Sequence, residues 1–220
     1  MKSRFDLVKE LTALNGIPTQ EKAVTKYIEN ELSSFADEIT YDNLGSLIAK
    51  KGHQGPKIMI SAHVDEIGFM VTSITNDGFI KIHPIGGWFP HVLLSQLWQI
   101  TTSQGQVFGV TGSKPLSAIP AADRSKVIET NQIFLDVGVK SKQEALDLGI
   151  KTGQMVTPYN ELKALGNGGF ITGKALDNRL GVAALIEVFK NIKPVTTMVE
   201  VSKLIDSEIL IEIEVSAIIS

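Results

Sequence analysis

The stretch Lys57-Ile58-Met59-Ile60-Ser61-Ala62-His63-Val64-Asp65-Glu66-Ile67-Gly68-Phe69-Met70-Val71 holds the turning point of the chain. Its first part, Lys57 to Ala62, is a short apolar run of the kind that forms a buried strand in an α/β sheet. From about Ile67 onward the texture changes to short strands separated by turn signals. Gly68 to Thr75, Asn76-Asp77-Gly78, Phe79 to His83, Leu97 to Thr102, Ser103-Gln104-Gly105 and Gln106 to Val110 form an all-β series. Ile133 to Val137 adds another strand. Ser141-Lys142-Gln143-Glu144 has capping-box spacing and opens a short helix that Gly149 closes.

Toward the N-terminus, Phe5, Val8, Leu11 and Leu14 share one helical spacing, which Gly16-Ile17-Pro18 stops. A second helix follows, with Thr19 as its expected cap, Glu21 in its first turn, and Ala23, Val24, Tyr27, Ile28, Leu32 and Phe35 on one face. Ile39 to Tyr41, Asp42-Asn43-Leu44-Gly45 and Ser46 to Ala49 read as a hairpin-like pair. Beyond the β-rich part, Gly166-Asn167-Gly168-Gly169 reads as a hinge. Ala175 to Lys190 then returns to a helical pattern through Leu180, Ala183, Ala184, Val188 and Phe189. The simplest architecture is an α/β domain over 1–66 and 170–220, interrupted by an inserted β-rich domain over 67–169.

Composition narrows the function classes. The 220 residues carry 21 basic and 24 acidic side chains, a net charge of −3, with no run of like charge. Nucleic acid and anionic membrane are therefore not expected partners. The start of the chain lacks a continuous apolar signal-peptide core, and no stretch approaches the roughly 18 apolar residues of a membrane span. There are no cysteines, which removes disulfides, thiolate metal sites and cysteine nucleophiles, and fits a cytoplasmic location. Any metal must use His and carboxylate ligands. All four histidines, His53, His63, His83 and His91, lie in the first half of the chain.

Two places could carry chemistry. His63-Val64-Asp65 follows the apolar run, and strand periodicity would put both polar side chains on one face. An imidazole can ligate a metal through one ring nitrogen while a carboxylate accepts the other N–H. The plainer reading is a surface histidine beside a solvated aspartate. In Gly173-Lys174-Ala175-Leu176-Asp177-Asn178-Arg179-Leu180-Gly181 an acid opens an apolar helix. Asp177 is either an ordinary helix cap or a carboxylate bridging two cations, and spacing does not decide between these.

Ala62-His63-Val64-Asp65-Glu66-Ile67-Gly68-Phe69-Met70-Val71, followed by the Gly173 to Gly181 string, resembles the dinuclear-metal aminopeptidase family of bacterial glutamyl aminopeptidase and the tetrahedral aminopeptidases. Gly86-Gly87-Trp88, Ile133 to Gly138 and Leu148 to Gly153 are similar to the family's inserted domain, and the likeness runs from about Met1 to Lys190. The resemblance implies a zinc-peptidase-like α/β catalytic domain interrupted by a β-barrel-like dimerisation domain. It implies His63 as a metal ligand, Asp65 as its orienting partner in the catalytic set, Asp177 as the bridging ligand, and a cis peptide after Asp177. Two divalent ions per intact subunit, zinc with cobalt as a substitute, would act on peptide substrates at the N-terminal residue. Homo-oligomers would form through the inserted domain.

The family's adjacent Glu-Glu pair, further aspartate ligand and late histidine are not recognisable here. After Lys190, Glu208, Glu212 and Glu214 are never adjacent, and they alternate with Ile209, Ile211, Ile213 and Val215 as in a half-buried strand. The chain therefore reads as a truncated or frameshifted member with an incomplete catalytic domain and low or absent activity. A reading from another class is a non-catalytic remnant acting as an oligomerisation or binding module. Trp88, Phe89 and Trp98 read as core or interface rather than a ligand-stacking face, His83 and His91 as structural, and His53 as solvated.

Overall fold

A computed structural model of the chain describes residues 3–53 and 58–191. Lys57, at the start of the expected buried strand, and the alternating segment carrying Glu208, Glu212 and Glu214 lie outside the described residues.

Helix α1 (Arg4–Ala13) starts where the Ser3 hydroxyl accepts the Asp6 N–H at 3.1 Å, and it ends at Leu14 in extended backbone. Its buried face is Leu7, Val8, Leu11 and Thr12, while Phe5 is exposed. Helix α2 (Lys22–Leu32) begins three residues after the expected cap. Thr19 sits at φ +74°, outside the extended backbone a cap needs, and its N–H is instead accepted by the Glu21 carboxylate at 2.9 Å. The hairpin of β1 (Glu38–Tyr41) and β2 (Leu47–Lys50) is antiparallel as expected. Its turn is held by Asp42, whose Oδ1 accepts the Leu44 and Ser46 N–H groups, each at 2.8 Å.

The apolar run before His63 is not a strand. Residues 58–67 have no regular structure, and Ile58 and Met59 are 59% and 84% exposed. An apolar run becomes a buried strand only beside partners that take its backbone N–H and C=O groups. None of the described strands pairs with it.

Strands β3 (Gly68–Ile74), β4 (Ile80–Ile85), β5 (Leu97–Thr102), β6 (Gly105–Gly112), β7 (Phe134–Asp136) and β8 (Met155–Pro158) close an antiparallel barrel in the order β3-β4-β7-β6-β5-β8. The change of texture at Ile67 thus marks the entry to a barrel. Its interior holds Phe69, Val71, Ile80, Trp98, Ile100, Leu135 and Val156. Phe69 stacks on Trp88 at 5.4 Å and meets Trp98 edge-on at 4.9 Å, whereas Phe89 points outward and is exposed. Helix α3 (Lys142–Asp147) is capped by Ser141, whose hydroxyl accepts the Glu144 N–H. At the barrel entrance the backbone must come close: a Cβ on Gly68 would lie 2.5 Å from the Val156 carbonyl oxygen and 2.8 Å from Ile17 Cγ2.

The segment read as a hinge at 166–169 is a tight turn. It joins β9 (Lys163–Leu165) to β10 (Phe170–Thr172), with the Gly168 N–H donated to Leu165 O at 2.9 Å. Helix α4 (Leu176–Asn191) buries Arg179, Val182, Ala183 and Ile186 against Leu7, Leu11, Val24 and Ile28. Leu180 and Val188, expected on the buried face, are exposed. Arg179 fills the interior in the first turn, which rotates the inward face by one position, about 100° of helix. The helical layer meets the barrel through buried polar groups: Gln99 Nε2 donates to Asn15 Oδ1 at 2.7 Å, and Asn15 Nδ2 to Thr101 Oγ1 at 3.3 Å. Among the described residues no helix is long and apolar enough to cross a membrane.

Candidate functional site

His63 and Asp65 sit in the irregular segment that leads into β3. Their side chains meet although the segment is not a strand: His63 Nδ1 lies 3.1 Å from Asp65 Oδ1. On its other side, His63 Nε2 lies 3.0 Å from Oδ1 of Asp177, which is 114 positions away in sequence. The imidazole is half exposed and the Asp177 side chain is 93% exposed, so the trio faces solvent.

The start of α4 shows how Asp177 is freed. Asp177 and Asn178 have non-helical backbone, and the peptide between them is cis, as the family resemblance implies. The cap is Asn178, whose Oδ1 accepts the Gly181 N–H at 3.1 Å. That is the bond an N-cap side chain makes to the third helical residue. Asp177 is therefore not bound up in closing the helix.

Behind this exposed trio lies a buried ionic cluster that no sequence motif announces. Glu66 Oε1 accepts from Lys174 Nζ at 2.6 Å, with both side chains less than 5% exposed. It also accepts the Gly16 N–H at 3.3 Å, and Gly16 O accepts the Glu66 N–H at 2.8 Å. Lys174 Nζ donates to Leu14 O at 3.2 Å, and Arg179, fully buried, donates through Nη1 to Leu11 O at 2.6 Å. Glu66 Oε2 and Arg179 Nε and Nη2 have no hydrogen-bond partner. Burial pushes the Glu66 carboxyl up and the Lys174 ammonium down, and their mutual attraction works against both shifts. The available signal was the position of these charges inside the two apolar motifs. Their pairing spans 108 positions, which no local pattern reports.

Of the other histidines, His53 is exposed and lies 3.7 Å from Asp37, while His83 and His91 are exposed on the barrel and take no part in the trio. Among the described residues no group of three His, Asp or Glu side chains converges where one ion could sit.

Comparison with known proteins shows the family. The sequence profile of the M42 glutamyl aminopeptidase family matches residues 45–207. The glutamyl aminopeptidase of Lactococcus lactis subsp. cremoris is 32% identical over 191 residues, covering 84% of this chain and 54% of the relative. A TET aminopeptidase from a marine sediment thaumarchaeon superposes with a TM-score of 0.82 at 34% identity, over 86% of this chain and 54% of that one. The Pyrococcus horikoshii TET1 peptidase, described as assembling into a tetrahedron or a large octahedral shell, superposes at 0.78 with 32% identity, over 86% of this chain and 56% of that one. The chain spans about half the length of the curated relatives it matches. On the extent of the profile match and the agreement of barrel and helices with these structures, the chain belongs to the M42 glutamyl aminopeptidase family.

Proposed function

We propose that the chain carries part of a dinuclear-metal aminopeptidase centre that removes N-terminal residues from peptides. The observation that carries this reading is His63 held between Asp65 and Asp177 at 3.1 and 3.0 Å. In this reading His63 and Asp177 would hold a divalent cation, zinc or cobalt, and Asp177 would be shared with a second one. Two donors of one tetrahedral zinc lie roughly 3.3 Å apart, so the 3.0 Å between Nε2 and Oδ1 suits a shared ion. A neutral imidazole has one N–H and can donate to only one of its two carboxylate neighbours. With Nδ1–H given to Asp65, the Nε2 lone pair is left for the cation, which makes Asp65 the orienting partner.

A bound cation would lower the pKa of its water and polarise the scissile carbonyl. Because no third ligand converges among the described residues, further ligands and a general base would have to come from outside them. The reading thus takes 1–66 and 170–220 as an incomplete catalytic domain and 67–169 as an inserted dimerisation domain. Acidic N-terminal residues are the proposed substrates, supported by the names of the family and of its Lactococcus member. Self-association is supported by the assembly named for the Pyrococcus horikoshii relative. It is also supported by a barrel face on which Leu97, Phe108, Val110 and Tyr159 are exposed together. The proposed location is the cytoplasm, in keeping with the cysteine-free composition.

A second reading, a non-catalytic remnant that only self-associates, is favoured by the lack of a three-ligand group among the described residues. The two readings separate in one experiment. Metal content per chain is measured after dialysis, alongside turnover of glutamyl, leucyl and lysyl anilides and size-exclusion mass. Bound metal with glutamyl turnover supports the peptidase; a metal-free, inactive oligomer overturns it in favour of the remnant.

A further inference from the structure

We propose that Glu66, Lys174 and Arg179 are positioning residues: their buried ionic cluster sets the separation of the His63 imidazole and the Asp177 carboxylate. The inference rests on the reading that this pair holds a cation. His63 lies in a segment without regular structure, and Asp177 has non-helical backbone at the mouth of α4. Both side chains face solvent. Nothing in their own elements fixes a 3.0 Å contact across 114 positions of sequence.

The cluster behind them supplies that reference. Glu66 follows Asp65 directly, Lys174 precedes Asp177 by three residues, and Arg179 follows it by two. The Glu66–Lys174 bond at 2.6 Å ties the two motif segments to each other. Gly16 N–H and O, bonded to the Glu66 carboxylate and N–H, tie the first segment to the end of α1. Lys174 and Arg179, both donating to Leu14 O, tie the second segment to the same place. Each half of the exposed pair is thus registered against one backbone stretch, Leu11 to Gly16.

A buried ion pair contributes little net stability, because desolvation offsets most of its attraction. This one also leaves Glu66 Oε2, Arg179 Nε and Arg179 Nη2 without partners. Apolar residues of similar volume would close the layer at lower cost. What they would lack is direction, and direction is what a pair of exposed donor groups needs from the structure beneath it.

Lys174→Met in the full chain tests this, read by two signals. The ring-nitrogen NMR signals of His63 should move in the metal-free variant, while those of His83 and His91 on the barrel stay in place. Cobalt binding, followed by its visible absorption, should weaken about 10- to 100-fold with a changed spectrum. A merely structural role would lower the melting temperature and leave both readouts of the folded protein untouched. A folded K174M with unchanged His63 signals and unchanged cobalt affinity overturns the proposal. If K174M does not fold, Glu66→Gln with Lys174→Met removes the unpaired charge and carries the same test. If neither folds, the cluster is a requirement of folding and the positioning role falls. If the unmodified chain binds no cobalt but His63 moves in K174M, the peptidase reading fails and positioning stands. If cobalt binds equally to both and the His63 signals do not move, the peptidase reading stands and positioning falls.

Discussion

Asn178→Ala and Asp177→Ala, made side by side, ask which of two adjacent residues caps α4. Alanine at 178 removes the acceptor of the Gly181 N–H at 3.1 Å. Loss of an asparagine cap costs about 0.5–2 kcal/mol, typically about 1. The cost enters global unfolding, because α4 closes the helical layer through Val182, Ala183 and Ile186. For a chain of this size, 1 kcal/mol moves Tm by about 2–4 °C, so N178A should melt lower by that amount. Asp177 caps nothing and its side chain is 93% exposed, so D177A should change stability by less than about 0.5 kcal/mol. In a cobalt titration the order should reverse, with D177A losing binding and N178A retaining it. Thermal melts by circular dichroism read the first effect. If D177A lowers Tm as far as N178A does, Asp177 is part of the helix cap and its proposed ligand role loses its structural ground.

Three further outcomes are expected. Trp98→Ala should cost about 3–5 kcal/mol in urea unfolding, since the ring is buried against Phe69 and Trp88 and donates from Nε1 to Thr111 Oγ1 at 3.2 Å; a loss below about 2 kcal/mol would show a loosely packed barrel centre. Gly68→Ala should cost about 1–3 kcal/mol by overpacking, because its Cβ would meet Val156 O at 2.5 Å; an unchanged melting temperature would place β3 and β8 further apart. The Asp42 carboxyl is held below its ordinary 3.8, chiefly by the Ser46 N–H. Its folded pKa is the lower one, so its stabilisation of the hairpin is present above pH 3.8 and lost as pH falls through the folded value. Hydrogen exchange in the β1–β2 hairpin should show that loss in the parent chain and not in Asp42→Asn.

The strands of the barrel are legible because their signals are local, whereas their closure into a barrel enters through family resemblance. Short runs such as Gly68 to Ile74 and turns such as Asn76-Asp77-Gly78 report strand and reversal within a few residues. The helical layer was less so. The face of α4 was misassigned because a buried arginine, Arg179, holds a position that periodicity gives to apolar Leu180. Thr19 has the residue type of a cap, but its φ of +74° belongs to the Ile17-Pro18-Thr19-Gln20 turn, closed by the Gln20 N–H donated to Ile17 O at 2.9 Å. Glycines 166, 168 and 169 suggested mobility and instead turn a hairpin. In the candidate site, the His63–Asp65 contact is two residues long and readable. The approach of Asp177 entered through family resemblance, and the Glu66–Lys174 bond through neither route, since pairing over such separations exists only in the folded layer.

The exposed run at Ile58, Met59 and Ile60 bears on how the protein will behave in a test tube. Two isoleucines and a methionine, presented to water and paired with none of the described strands, are a template for intermolecular strand addition. Yield and solubility will then depend on protein concentration, and chaperone engagement on this edge rather than on the barrel. Ile58→Lys or Met59→Glu, outside both motifs, should improve soluble expression without touching the trio.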